Sequence, residues 1–210
     1  MKQAMPVFKE LANNFVAYHY HTFGSWPDLN DIALEGLISK ALKSHRKDVE
    51  WVQGAHLPYD IKLTESNLHI QVKGTLLQGN QKHIHLSSFR LGTHVDDLKK
   101  GILQQVNAND LWYVVARKVT ENAMTVWFFE CDKSSFLYDE NLYNFTKTNK
   151  RSSYQYECEK DGIFAWVRPS TSHQLWYRTE FDNFKNQQGV SLLATMEFKV
   201  ADLPNTLTLK

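Results

Sequence analysis

Surplus charge of either sign is missing from this chain: 24 lysines and arginines meet 23 aspartates and glutamates, a formal net of +1. A chain-wide basic field is therefore excluded as the basis of any nucleic-acid binding, although a local charged patch on the folded surface is not. Cysteine is scarce as well. Cys131 and Cys158 are far apart in sequence and in no metal-ligand spacing. That excludes a disulfide scaffold and fits reduced, intracellular thiols. No apolar run approaches the ~20 residues that span a bilayer. The opening residues, Met1 to Pro6, lack the apolar core of a signal peptide. These absences predict a cytoplasmic protein with no membrane partner. Neither a Gly-rich phosphate loop nor a Gly-x-Ser-x-Gly elbow is present, so a nucleotide cofactor and serine hydrolysis have no support. No repeat, low-complexity tract or long Gly/Ser/Pro linker divides the chain, which predicts a single domain over residues 1–210.

What is present is an ordinary globular balance, 42% hydrophobic and 22% charged, with 13% aromatic residues. Val7, Phe8, Leu11, Phe15 and Val16 recur at helical spacing, up to a break at Phe23-Gly24-Ser25. Ser25 to Asp28 supply cap and first-turn types for a second helix. Its apolar stripe is Ile32, Leu34, Leu37, Ile38, Ala41 and Leu42, and a basic run from Lys43 to Lys47 suits its C-terminal dipole. Strand-like pieces follow at 49–52, 60–63, 68–73 and 82–89, with a turn at Gln78-Gly79-Asn80. An amphipathic helix is expected over 95–106, and buried strands over 111–116 and 124–131. Beyond Asp132 the pattern loosens. A strand at 162–167, a short helix from Ser170 to about Phe184 and a final strand at 192–200 are expected there. The fold class is thus α/β, bordering on α+β, with a central mixed sheet flanked by helices. The core is expected at about 28–131 and additions at about 132–210.

The most informative run is Pro58-Tyr59-Asp60, then ten residues of strand-like chain, then Gln71-Val72-Lys73-Gly74. Side chains alternate along a strand, so Gln71 and Lys73 share one face while Val72 enters the core. If the two strands pair as a hairpin, Asp60 comes alongside that pair. One carboxylate, one amide oxygen and one ammonium form a site for a divalent cation and an activated water. Asp60 would bridge; the Gln71 side-chain oxygen and the Val72 backbone carbonyl would add oxygen ligands; Lys73 would position or deprotonate the water. A neutral amide ligates weakly, so a further anion is needed. Glu35, at the border of the apolar stripe of the second helix, is the first candidate. Glu50 is the second.

An acid-bearing helix, Pro58-Tyr59-Asp60 and Gln71-Val72-Lys73 together resemble the PD-(D/E)XK nuclease superfamily, most closely its type II restriction endonucleases. The resemblance covers roughly residues 28–117. It implies a restriction-endonuclease-like core, a Mg2+ cofactor, a double-stranded DNA substrate, and Asp60, Gln71, Lys73 and Glu35 as catalytic residues. The sequence departs from the family pattern where Tyr59 separates Pro58 from Asp60 and where Gln71 replaces an acid.

Two stretches carry residue types that meet phosphates and base edges. One is Lys147, Asn149, Lys150, Arg151 and Ser152; the other is Ser172, His173, Gln174 and Arg178, the first three of these on the short helix expected there. A polar surface loop and an ordinary capped helix explain each stretch equally well. A palindromic target would call for a twofold homodimer. The pairs His19/His21 and His83/His85 lack further zinc ligands and read as solvated strand-face residues. His69 shares the face of Gln71 and Lys73. Three alternatives stay open: a nuclease with another task such as repair, homing or junction resolution; a non-catalytic DNA-binding protein on a degraded nuclease core; and an unrelated α/β protein.

Overall fold

A computed structural model describes residues 1–52, 57–77, 80, 82–90, 97–150, 153–168 and 174–204. Among the described residues there are four α-helices: α1 (Met5–Phe23), α2 (Asp31–Lys43), α3 (Leu98–Asn107) and the short α4 (Phe181–Lys185). The strands are β1 (Val49–Trp51), β2 (Ile61–Leu63), β3 (Leu68–Leu76), β4 (His83–Arg90), β5 (Leu111–Val119), β6 (Ala123–Cys131), β7 (Thr146–Lys150), β8 (Ser153–Lys160), β9 (Ile163–Arg168), β10 (Gln174–Glu180) and β11 (Val190–Lys199).

Six strands form a mixed sheet in the order β1-β2-β3-β5-β6-β11. Only β3 and β5 run parallel within it, and α3 supplies the crossover between them. The other five strands form an antiparallel sheet in the order β4-β10-β9-β8-β7. The α/β class with a central mixed sheet flanked by helices is therefore present, with α3 and the second sheet on one face and α1 and α2 on the other. There Phe8, Val16, Leu34 and Ile38 of α1 and α2 pack on Val72, Tyr113, Val115 and Phe128. Against the opposite face, Trp112, Val114 and Phe129 meet α3 through Ile102 and Val106, and the second sheet through Ile84, Leu86, Leu175 and Tyr177. The alternation of β5 explains why one strand serves both cores: odd residues such as Tyr113 and Val115 face the helices, even ones such as Trp112 and Val114 face the second sheet.

Three segments depart from the sequence-based expectation, the first being 146–150 and 153–160, where no regular element is expected and β7 pairs antiparallel with β8. From Gln174 on, the helix expected from Ser170 to about Phe184 is instead β10 followed by the single turn of α4; residues 170–173 lie outside the described residues. Leu175, Tyr177 and Thr179 are buried while Trp176 and Arg178 are not, so the period is two. The apparent helical stripe arises because the inward residues of β10 run directly into Phe181 and Phe184 of α4. The second helix is capped by Asn30, whose side chain accepts from Ala33 N at 3.0 Å, rather than by the residues at 25–28. That earlier stretch is a strap on the far end of β5: Trp26 Nε1 donates to Thr120 O at 2.9 Å, and Arg117 binds both Asp28 and Leu29 O. The turn expected at 78–80 lies outside the described residues at positions 78 and 79. Gly24 ends α1 at φ 66, the left-handed conformation that glycine adopts without Cβ strain. Among the described residues no helix is long and apolar enough to cross a membrane.

Candidate functional site

β2 and β3 pair as the expected hairpin, with Ile61 opposite Ile70. β2 is only three residues long, so beyond Ile70 the edge of β3 no longer has a strand beside it. Asp60 sits at that point. Its N–H donates to Ile70 O and its carbonyl accepts from Val52 N, both at 2.9 Å, so the backbone is stitched on two sides. Its carboxylate turns back along the exposed edge. Oδ2 accepts from Val72 N at 2.7 Å and from the Gln71 side-chain Nε2. Asp60 and Gln71 are thus brought together, and the carboxylate lies on the side of β3 that carries Lys73.

The amide is turned differently from the ligand role inferred for it. Gln71, 4% exposed, presents its NH2 to the acid and not its oxygen. Two oxygens would repel there; an amide donor beside a carboxylate is the favourable arrangement. Val72 N–H points at Asp60, and in a strand the N–H and C=O of one residue face the same edge, so the Val72 carbonyl lies on this edge as well.

Lys73 has a partner that nothing in the strand pattern singles out. Its Nζ reaches Asp31 Oδ2 at 2.9 Å, and Asp31 Oδ1 accepts from Gly74 N at 2.7 Å. Asp31 opens α2, and the close approach depends on glycine. A Cβ on residue 74 would lie 2.6 Å from Leu29 O and 2.8 Å from Leu34 Cδ1. The sequence signals, seen afterwards, are the glycine directly after Lys73 and the i, i+4 pairing of Asp31 with Glu35 on one helix face. Glu35 itself accepts a hydrogen bond from Trp51 Nε1 at 3.1 Å. It stands near enough to act on Asp60 through charge, as does Asp31. Glu50 is exposed on β1, opposite Lys62.

The electrostatic result is an acid held away from its ordinary state. Burial pushes the Asp60 carboxyl up to about 6; Glu35 and Asp31 push the same way, while Lys73 and the Val72 N–H pull it down without prevailing. Behind the acid, Tyr59 stacks on His69 with ring centroids 4.1 Å apart. The backbone of His69 is fixed by Asp110, whose Oδ2 accepts from His69 N at 3.0 Å.

The donors on this edge are oxygens: the Asp60 carboxylate and the Val72 carbonyl, with Glu35 near. That chemistry fits a hard, largely hydrated cation that needs one or two protein carboxylates. Among the described residues no three His, Cys, Asp or Glu side chains gather as a metal-holding group. Such a cation would therefore keep most of its waters.

Of the residues expected to read DNA, the described ones lie on β7 and β10 of the second sheet. Lys147 is exposed on β7, the outer strand of the second sheet. Asn149 and Lys150 follow on that strand, with side chains outside the described set. Arg151, Ser152, Ser172 and His173 lie outside the described residues. Gln174 and Arg178 are on β10, so the groove-reading helix inferred for Ser172, His173 and Gln174 is corrected to a strand at Gln174. Comparison with protein-family models, with curated proteins and with solved structures finds no match.

Proposed function

We propose that the chain is a Mg2+-dependent, sequence-specific double-stranded DNA endonuclease of the restriction type, working in the cytoplasm as a homodimer on a palindromic site. The observation that carries this reading is Asp60: a buried carboxylate with a raised pKa, on an open strand edge, beside Gln71, the Val72 carbonyl and the Lys73–Asp31 pair. Perturbed acids beside a fixed cation are a mark of functional sites.

Asp60 and the Val72 carbonyl would hold the cation, with Glu35 as the nearest further acid. When bound, it supplies a more acidic water and neutralises charge growing on the phosphoryl oxygens. Asp31 fixes the Lys73 ammonium in place. An ammonium already engaged with a carboxylate is set to stabilise transition-state charge rather than to take a proton. Tyr59 and His69 back the acid with a stacked pair of rings. The bond broken is the P–O3′ ester, in line with the entering water, which leaves a 5′-phosphate and a 3′-hydroxyl. Asp60 must be ionised to act, so cleavage should climb as pH rises through about 6.

The test is digestion of plasmid DNA with Mg2+. Discrete bands are expected from the wild type. Asp60→Ala and Lys73→Ala should each lose about 10^3-fold or more in rate while melting cooperatively. Undiminished cutting by either variant would end the assignment.

One observation favours a second reading. The Gln71 NH2 already satisfies Asp60 without any cation, as a DNA-binding protein on a degraded nuclease core would require. Duplex binding with no cleavage under Mg2+ or Mn2+ at every pH from 6 to about 9 would select it.

A further inference from the structure

The second sheet turns an unusual face away from the core. β4, β9 and β10 alternate, so Ile84, Ala165 and Tyr177 point inward and their neighbours point out. Among the described outward positions of β4, β8, β9 and β10, the apolar side chains are three aromatic rings and no aliphatic ones. Phe164 and Trp166 stack at 5.3 Å with planes 29° apart, and Trp166 and Trp176 at 6.2 Å with planes 14° apart. Arg178 lies over the Phe164 ring at 5.4 Å, and His85 meets Trp166 edge-on at 6.2 Å. All three rings are half-exposed.

The composition argues against a protein partner. The buried centre of a protein interface is depleted in charge, glutamate included. Here Arg178 and His85 border the rings along β10 and β4, Glu157 and Glu159 of β8 stand opposite Trp166 and Phe164, and Glu180 closes β10 on the same face. Nucleic-acid bases match that division: stacking on the rings, phosphates toward Arg178, and base N–H groups, including the N3–H of thymine, toward carboxylate acceptors. The face also adjoins the candidate active site. Thr75, two residues past Lys73 on the same side of β3, donates from Oγ1 to His85 O at 2.7 Å.

We infer that the outer face of the β4-β10-β9-β8 sheet binds unpaired, single-stranded DNA by stacking bases on Phe164, Trp166 and Trp176, with Arg178 meeting the backbone. This extends the nuclease reading by assigning a second substrate form to a second surface, but its test does not use cleavage. The probe is a fluorescein-labelled oligothymidylate of about 12 nucleotides, spanning one stacking-platform site, followed by anisotropy at low salt. Wild type and Asp60→Asn should bind it equally. Trp166→Ala should bind about 10-fold or more weakly, since each stacked base contributes a factor of that order. Trp166→Phe should stay within about threefold, because it keeps a ring. An abasic oligomer of the same length should bind wild type at least as poorly as oligothymidylate binds Trp166→Ala, because it loses stacking on all three rings. The inference is overturned if wild type shows no affinity, if Trp166→Ala binds normally, or if the abasic oligomer binds as well as oligothymidylate. It is equally overturned if Trp166→Ala turns a sedimenting dimer into a monomer, because the face is then a contact between copies. Loss of cleavage in Asp60→Asn with oligothymidylate binding intact would separate the two readings.

Discussion

Two aspartates stand at the entrances of neighbouring strands and behave oppositely. Asp48 precedes β1 and Asp60 precedes β2. The Asp48 side chain is only 4% exposed, yet its carboxyl is held below the ordinary range. The cause is Arg46, whose Nε and Nη2 grip Oδ1 and Oδ2 at 2.8 Å each, the bidentate fork that planar guanidinium offers a carboxylate. Asp60 has a cation near it as well, but Lys73 is committed to Asp31. It receives one N–H and one amide NH2, and burial wins. An acid with a dedicated cation becomes a fixed part of the fold. An acid whose nearest cation is engaged elsewhere is left able to gain or lose a proton, or to take a metal, near neutral pH.

The sharpest way to stress that contrast is to add charge where it is least compensated. Gln71→Glu places a second carboxylate against Asp60 in a site that is 4% exposed. Above pH 6 this should destabilise the protein by about 3 kcal/mol, because two like charges are then buried together. If the edge is a cation site, millimolar Mg2+ should restore much of the loss by binding only the folded state. Urea unfolding with and without Mg2+ measures both effects, and an identical midpoint in the two conditions would break the metal assignment.

Removing charge at the same place should do the reverse. With its folded pKa near 6 and an unfolded value near 3.8, Asp60 binds its proton more tightly in the folded state. Its contribution is therefore complete below about pH 4 and is lost as pH rises through about 6. Asp60→Asn keeps an oxygen for the Val72 N–H and cannot ionise. It should be more stable than wild type by about 2–3 kcal/mol at pH 8 and no more stable at pH 4. A mutation that stabilises the fold while ending cleavage would mark Asp60 as a functional acid; a loss of stability at pH 8 that fades toward pH 4 would place it with Asp48 as a structural one.

How much of this was legible in the sequence follows from how local each feature is. The pairing of residues 60–63 with 68–73 and the shared side of Gln71 and Lys73 depend on period-two alternation and a short turn, so they could be read directly. The stripe of α2 was equally plain at Leu34, Ile38, Ala41 and Leu42, although Ile32, counted with it, is exposed. Asp31 was not, because its role rests on contacts with Lys73 and Gly74, more than 40 residues away in sequence, and on a backbone approach that only the folded edge creates. The orientation of the Gln71 amide was also out of reach, since residue type gives the atoms but not which of them turns toward Asp60. The second sheet escaped for a related reason. Its five strands are ordered β4-β10-β9-β8-β7, so β4 joins partners more than 80 residues away. The inward residues of β10 also run straight into α4 and imitate a helical stripe.

The smallest expected effect tests the other half of the comparison. Asp48 also accepts from Glu65 N at 3.3 Å, and its backbone carbonyl takes Thr64 N at 2.8 Å, so it ties Arg46 to the turn between β2 and β3. A carboxyl held low by Arg46 contributes its stability above the unfolded pKa, near 4, and loses it as pH falls further. Asp48→Asn removes that contribution but keeps one oxygen for Arg46 or Glu65. A drop in Tm of about 2–4 °C at pH 7 is expected, shrinking toward zero as the pH falls below about 4. Differential scanning calorimetry at the two pH values checks the sign as well as the size. The pH trend must run opposite to that of Asp60→Asn: one substitution harms the protein most at neutral pH, the other helps it most there. Parallel trends would mean that the partner of each carboxylate, Arg46 in one case and an amide in the other, is not what sets the two acids apart.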